Sequence, residues 1–70
     1  MRPQQVNARI ERLGGVLLRQ RGSHRFYRVV KDGFTAHTTV PQHGGDIPAG
    51  TLAAIVRDLE PVLGKGWLGK

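Results

Sequence analysis

Val6, Ile10 and Leu13 recur at i, i+4 and i+7, the spacing of one helical face. Pro3 suits a first helical turn and Gly14-Gly15 supplies a stop, so the pattern predicts a helix from about Pro3 to Leu13. Val16 to Gln20 is short, apolar and bounded by glycines, and reads as a strand. Arg21-Gly22-Ser23 is turn material. His24 to Lys31 is rich in strand formers (Phe26, Tyr27, Val29, Val30), and Asp32-Gly33 marks a hairpin turn. Phe34 to Val40 is a third strand, closed by Pro41.

After a polar, glycine-rich loop (42–46), Pro48 opens a second helix, with Asp46 near its positive end. Leu52, Ile55, Val56, Leu59 and Leu63 form its apolar stripe. Pro61 interrupts that stripe and predicts a kink, or an end to the regular helix near Glu60. The segment 64–70 holds three glycines and Trp67, whose placement the pattern leaves open. The order is helix, three antiparallel strands, helix. It predicts one two-layer α+β domain over 1–63, with two helices on one sheet face and a glycine-rich tail over 64–70.

Composition narrows the function classes. Seventy residues allow one small domain with a thin core and a shallow surface site. The apolar fraction of 39% exceeds that of a disordered tail. No run reaches the ~18 apolar residues of a membrane span, and the N-terminus lacks a signal-peptide pattern. There is no Cys, hence no disulfide or thiolate metal site. These features predict a cytoplasmic protein without a membrane partner.

The formal charge is +6, from 11 Lys+Arg against 5 Asp+Glu. All of the excess lies between Arg12 and Lys31, a stretch with six cations and no acidic residue. Eight of the eleven cations are Arg, whose planar fork matches phosphate, so a polyanionic partner is expected, nucleic acid before membrane. The plainer alternative is a basic surface that only keeps the domain soluble.

His24 lies inside this segment, flanked by Arg19, Arg21, Arg25 and Arg28. Neutral imidazole can take a proton from a ribose 2′-OH while arginines stabilise charge on the phosphate. DNA lacks that hydroxyl, so such chemistry selects RNA, and it requires neither metal nor cofactor. A histidine beside arginines is also an ordinary phosphate contact. Ser23 can bond a phosphate oxygen or cap its own turn. His43 is a second candidate for phosphate or base contact, or is simply solvated. His37 receives no role, and the histidine spacings match no standard metal pattern. Phe26 and Tyr27 face opposite ways, so one enters the core and the other is available to stack on a base.

Three motifs now fall in order. Arg19-Gln20-Arg21-Gly22-Ser23-His24 continues into Tyr27-Arg28. Val40-Pro41-Gln42-His43 ends the third strand. Pro48-Ala49-Gly50-Thr51-Leu52, with Ile55, opens the second helix. Together, over about residues 5 to 60, they resemble the HicA family of bacterial toxins, small mRNA interferases of toxin–antitoxin pairs. The resemblance implies a double-stranded-RNA-binding-domain-like α-β-β-β-α fold and mRNA cleavage with His24 as the catalytic histidine. It also implies a HicB-like antitoxin that covers the site, and structural roles for Gly50 and Thr51. The chain departs from the family in a longer second hairpin that carries His37, and in its end from Glu60 to Trp67. Two other readings compete: an RNA-binding module that does not cut, and an interaction adaptor using an exposed tail around Trp67.

Overall fold

The computed structural model describes residues 1–69. Its elements run α1 (Pro3–Arg12), β1 (Val16–Arg21), β2 (His24–Lys31), β3 (Phe34–Pro41) and α2 (Ala49–Leu63). The three strands form one antiparallel sheet in the order β1-β2-β3. This is the two-layer α+β architecture expected from the pattern, and the double-stranded-RNA-binding-domain-like fold that the resemblance implies.

Strand alternation decides what each face carries. Tyr27 and Val29 of β2 and Ala36, Thr38 and Val40 of β3 are buried beneath the helices. They meet Val6 and Ile10 of α1, and Ile55 and Leu59 of α2. Thr38 is satisfied there by donating from Oγ1 to Asp58 Oδ2 of α2 at 2.9 Å. The intervening residues His24, Arg28, Val30, Thr35, His37 and Thr39 are exposed on the opposite face.

Both hairpins are two-residue turns with the backbone twist that strand pairing favours. Asp32 and Gly33 take φ of 53° and 82°, the type I′ form. In the first hairpin Gly22 takes φ 57° while Ser23 keeps an ordinary negative φ, the type II′ form, in which glycine occupies the first turn position. β1 carries one irregularity between Leu17 and Arg19, so Leu18 is an extra, bulged residue. β1 is an edge strand, and none of its residues is buried despite the apolar Val16-Leu17-Leu18 run.

Two local expectations change, and the open placement of Trp67 is decided. Leu13 caps α1 from outside and is 39% exposed, so the buried stripe of α1 is Val6 and Ile10. Pro61 neither ends nor caps α2, which continues to Leu63. The proline ring faces solvent there, while Leu59 before it is buried and Val62 and Leu63 after it pack on the core. Tertiary packing on both sides of Pro61 thus holds the last turn. Trp67 folds back and is buried, its Nε1 donating to Val56 O at 2.8 Å. Its carbonyl accepts from Arg9 Nε at 3.2 Å, and Leu68 joins the same core. An adaptor built on an exposed Trp67 is therefore overturned.

Candidate active site

The open sheet face gathers the basic segment. Register pairs Arg21 with His24, Arg19 with Phe26, and Arg28 with both Val16 and His37. Directly opposed residues of antiparallel strands share a face, so Arg19, Arg21, His24, Phe26, Arg28 and His37 emerge together. The three strands contain no acidic residue. The positive potential of this face thus has no carboxylate within the sheet to offset it.

His24 is the first residue of β2, directly after the Gly22-Ser23 turn. Its register partner on β3 is Pro41. Here the sheet ends in an open cleft of about 380 Å³ lined by His24, Thr39, Pro41, His43, Pro48 and Thr51. The rings of His24 and His43 stand 6.4 Å apart, centroid to centroid, nearly edge to face.

Gln42 sets the position of His43. Its backbone N–H donates to the Ser23 carbonyl, joining the residues that precede the two histidines. Its side chain pairs with buried Asn7 of α1: Asn7 Nδ2 donates to Oε1 at 2.7 Å, and Gln42 Nε2 donates to Asn7 Oδ1 at 3.1 Å. Gln42 Nε2 also reaches Val40 O at 3.0 Å. A loop anchored in this way loses less freedom when it contacts a ligand.

The far wall of the cleft is the start of α2. Pro48 is the N-cap, and the first turn contains no acidic side chain. Leu52 N donates to Pro48 O at 2.9 Å, closing the first helical bond. The amides of Ala49, Gly50 and Thr51 precede that bond and have no intrahelical acceptor. They and the helix dipole give this wall a positive end suited to an anion. Asp46, expected beside it, is instead 3.5 Å from the Met1 amine.

The sequence candidates thus separate. His24 and His43 meet in the cleft. Arg21, Arg19 and Arg28 line the approach across the open face, and Ser23 contributes its carbonyl to the Gln42 link. Arg25 does not join them. It lies on the helix side, where Nε donates to Gln20 Oε1 at 2.9 Å and Nη1 donates to Tyr27 Oη at 3.3 Å. The same nitrogen is 3.9 Å from Glu11 Oε2. Alternation along β2 explains this, since Arg25 shares its face with Tyr27. Tyr27 OH in turn donates to Glu11 at 2.6 Å. Burial, then the bond to Glu11, push the Tyr27 pKa above its ordinary 10.0.

Sequence reasoning passed over Thr39, Pro48 and Thr51 as wall residues, and over His37. The signal for the wall was present in Pro48-Ala49-Gly50-Thr51, a helix opening that lacks an acidic residue. His37 stacks on Phe26 at 5.3 Å with 8° between the rings, and the Arg19 guanidinium lies 4.5 Å over the same Phe26 ring.

Among the described residues, no helix is long and apolar enough to cross a membrane. Nor do they include a group of three or more side chains placed to hold a metal ion. Fold and site together define a double-stranded-RNA-binding-domain-like domain with a basic sheet face and a histidine-lined cleft. The family model described as the HicA toxin of bacterial toxin–antitoxin matches residues 4–60, and the chain belongs to that family. No curated protein matches the chain. Membership makes it the toxin half of a toxin–antitoxin pair, and so implies an antitoxin partner.

Proposed function

We propose that this toxin is a metal-independent mRNA endoribonuclease that uses the His24–His43 cleft. The carrying observation is the pair of imidazoles 6.4 Å apart between a basic sheet face and the positive end of α2. Neutral His24 takes the proton from a ribose 2′-OH, and the resulting 2′-oxygen attacks the adjacent phosphorus. The bond to the 5′-oxygen breaks, and that oxygen takes a proton from His43 in its protonated form. The products are a 2′,3′-cyclic phosphate and a 5′-hydroxyl, with no redox change. Arg21 and the first amides of α2 hold the phosphate oxygens as charge develops on them. Arg19 and Arg28 guide the strand across the sheet, with Ser23 at the turn.

The site is shallow and open, so a HicB-like antitoxin seated over the cleft masks it in the cytoplasm. Incubating the purified protein with labelled mRNA in EDTA tests the reading. Cleavage with cyclic-phosphate ends is expected, with His24→Ala slowing it at least about 100-fold. Intact RNA shifted in a salt-sensitive manner by the wild-type protein would instead establish a binding module that does not cut.

A further inference from the structure

We infer that His37, backed by Phe26 and Arg19, is a nucleobase-stacking subsite for single-stranded RNA beside the cleft. The inference rests on the reading above and adds a substrate-positioning role that the cleavage chemistry does not require.

The observation is a stack on an exposed sheet face. β1 and β3 flank β2, so Arg19 and His37 approach the Phe26 ring from opposite sides. The Arg19 guanidinium closes one end, and the His37 ring, parallel to Phe26, forms the other. His37 is exposed and belongs to an edge strand, so the outer side of its ring meets solvent. A planar base adding there extends the stack by one layer. Every base has a π-face, so such a platform accepts any nucleotide and prefers those that stack strongly.

Position relates the stack to the chemistry. Thr39 lines the cleft, and His37 is the next residue on the same face of β3, about 7 Å further along the strand. The phosphate held by His24 lies two such steps away, because His24 registers with Pro41 and His37 with Arg28, so roughly two nucleotides separate it from the base over His37. The charge of the face selects the occupant. Arg19, Arg28 and Arg21 surround the stack on a sheet without any carboxylate, which suits a phosphate-bearing strand. A base already paired in a duplex cannot reach the ring, so the strand must be single.

The test measures affinity for a short single-stranded RNA, in a His24→Ala background that prevents cutting. His37→Ala is expected to weaken binding about tenfold, while His37→Phe, which keeps a ring, stays within about twofold of the parent. An abasic nucleotide moved along the two positions that follow the cleft phosphate should lower affinity for the parent at one of them and have little further effect there on His37→Ala. Thermal melts of each variant check that the sheet is intact. Unchanged affinity in His37→Ala, or a His37→Phe that behaves like His37→Ala, overturns the subsite. RNA cutting by the wild-type protein together with that result leaves the nuclease reading standing and removes only the subsite. Absence of both RNA binding and cutting removes both.

Discussion

Arg21 and Arg25 lie four positions apart in one basic run, yet they emerge on opposite faces of the sheet. Arg21 pairs with His24 on the open face, whereas Arg25 joins Gln20, Tyr27 and Glu11 on the helix side. Their alanine variants should therefore differ. Arg21→Ala is expected to weaken RNA binding and reduce the slope of log affinity against log salt by about 0.7, the value for one single-strand phosphate contact. Arg25→Ala is expected to leave that slope unchanged, as salt titrations of the two variants will show. Composition alone made the two arginines equivalent, because a charge run does not reveal which way each side chain points. The twist and hairpin that assign the faces arise only once β2 is paired on both sides.

Tyr27 supplies a second test at the same scale. Its raised pKa means the folded state holds the phenolic proton more tightly than the unfolded chain does. That contribution to stability is complete below about pH 10 and is lost as pH rises through the folded-state value. Denaturation midpoints measured between pH 8 and 11 should fall more steeply for the wild type than for Tyr27→Phe. The Asn7–Gln42 pair makes a different demand. Asn7→Ala leaves the Gln42 amide without its two partner bonds, and is expected to cost about 1–3 kcal/mol in chemical denaturation. It should also lower cleavage, because the loop carrying His43 loses its anchor.

At the scale of elements, the strands and the first helix were legible because their periodicities are clean and their turns carry glycine at the required places. The α2 C-terminus was not. Local rules stop a helix before proline, because the ring removes a hydrogen bond and crowds the preceding turn. Here Leu59, Val62 and Leu63 gain burial on the core, and that gain outweighs the local penalty. Pro61→Ala removes the penalty and keeps those contacts. It is expected to raise stability by about 1–3 kcal/mol, measured by urea unfolding. β1 presents the opposite case: an apolar run that stays exposed because α2 packs over β2 and β3, whereas β3, the other edge strand, is buried on its inner face.

At the scale of the whole molecule, the domain has two unlike surfaces. The helices balance Glu11, Asp58 and Glu60 against Arg9, Arg12 and Arg57, whereas the strands carry cations alone. One face is thus ready for a polyanion while the other encloses the core. That core is thin, and it is completed from the far end of the chain. Trp67 and Leu68 cover it, and Arg9 ties the Trp67 carbonyl to α1. Deleting residues 64–70 strips an indole and its hydrogen bond from Val56 O. The truncated protein is expected to be less stable in urea unfolding, by at least the ~1.5–3 kcal/mol associated with one buried large side chain.

The sequence by itself determined the elements, their order, the concentration of charge around His24 and the candidacy of both histidines. These follow from local periodicity, turn chemistry and composition, which act over a few residues at a time. Tertiary structure alone decided that His24 and His43 share one cleft, that the start of α2 forms its positive wall, and that Arg25 turns away. It also brought His37 onto Phe26 and returned Trp67 to the core. Each of these depends on contacts between residues far apart in the chain, and such contacts exist only after the sheet is paired and both helices have docked on one of its faces.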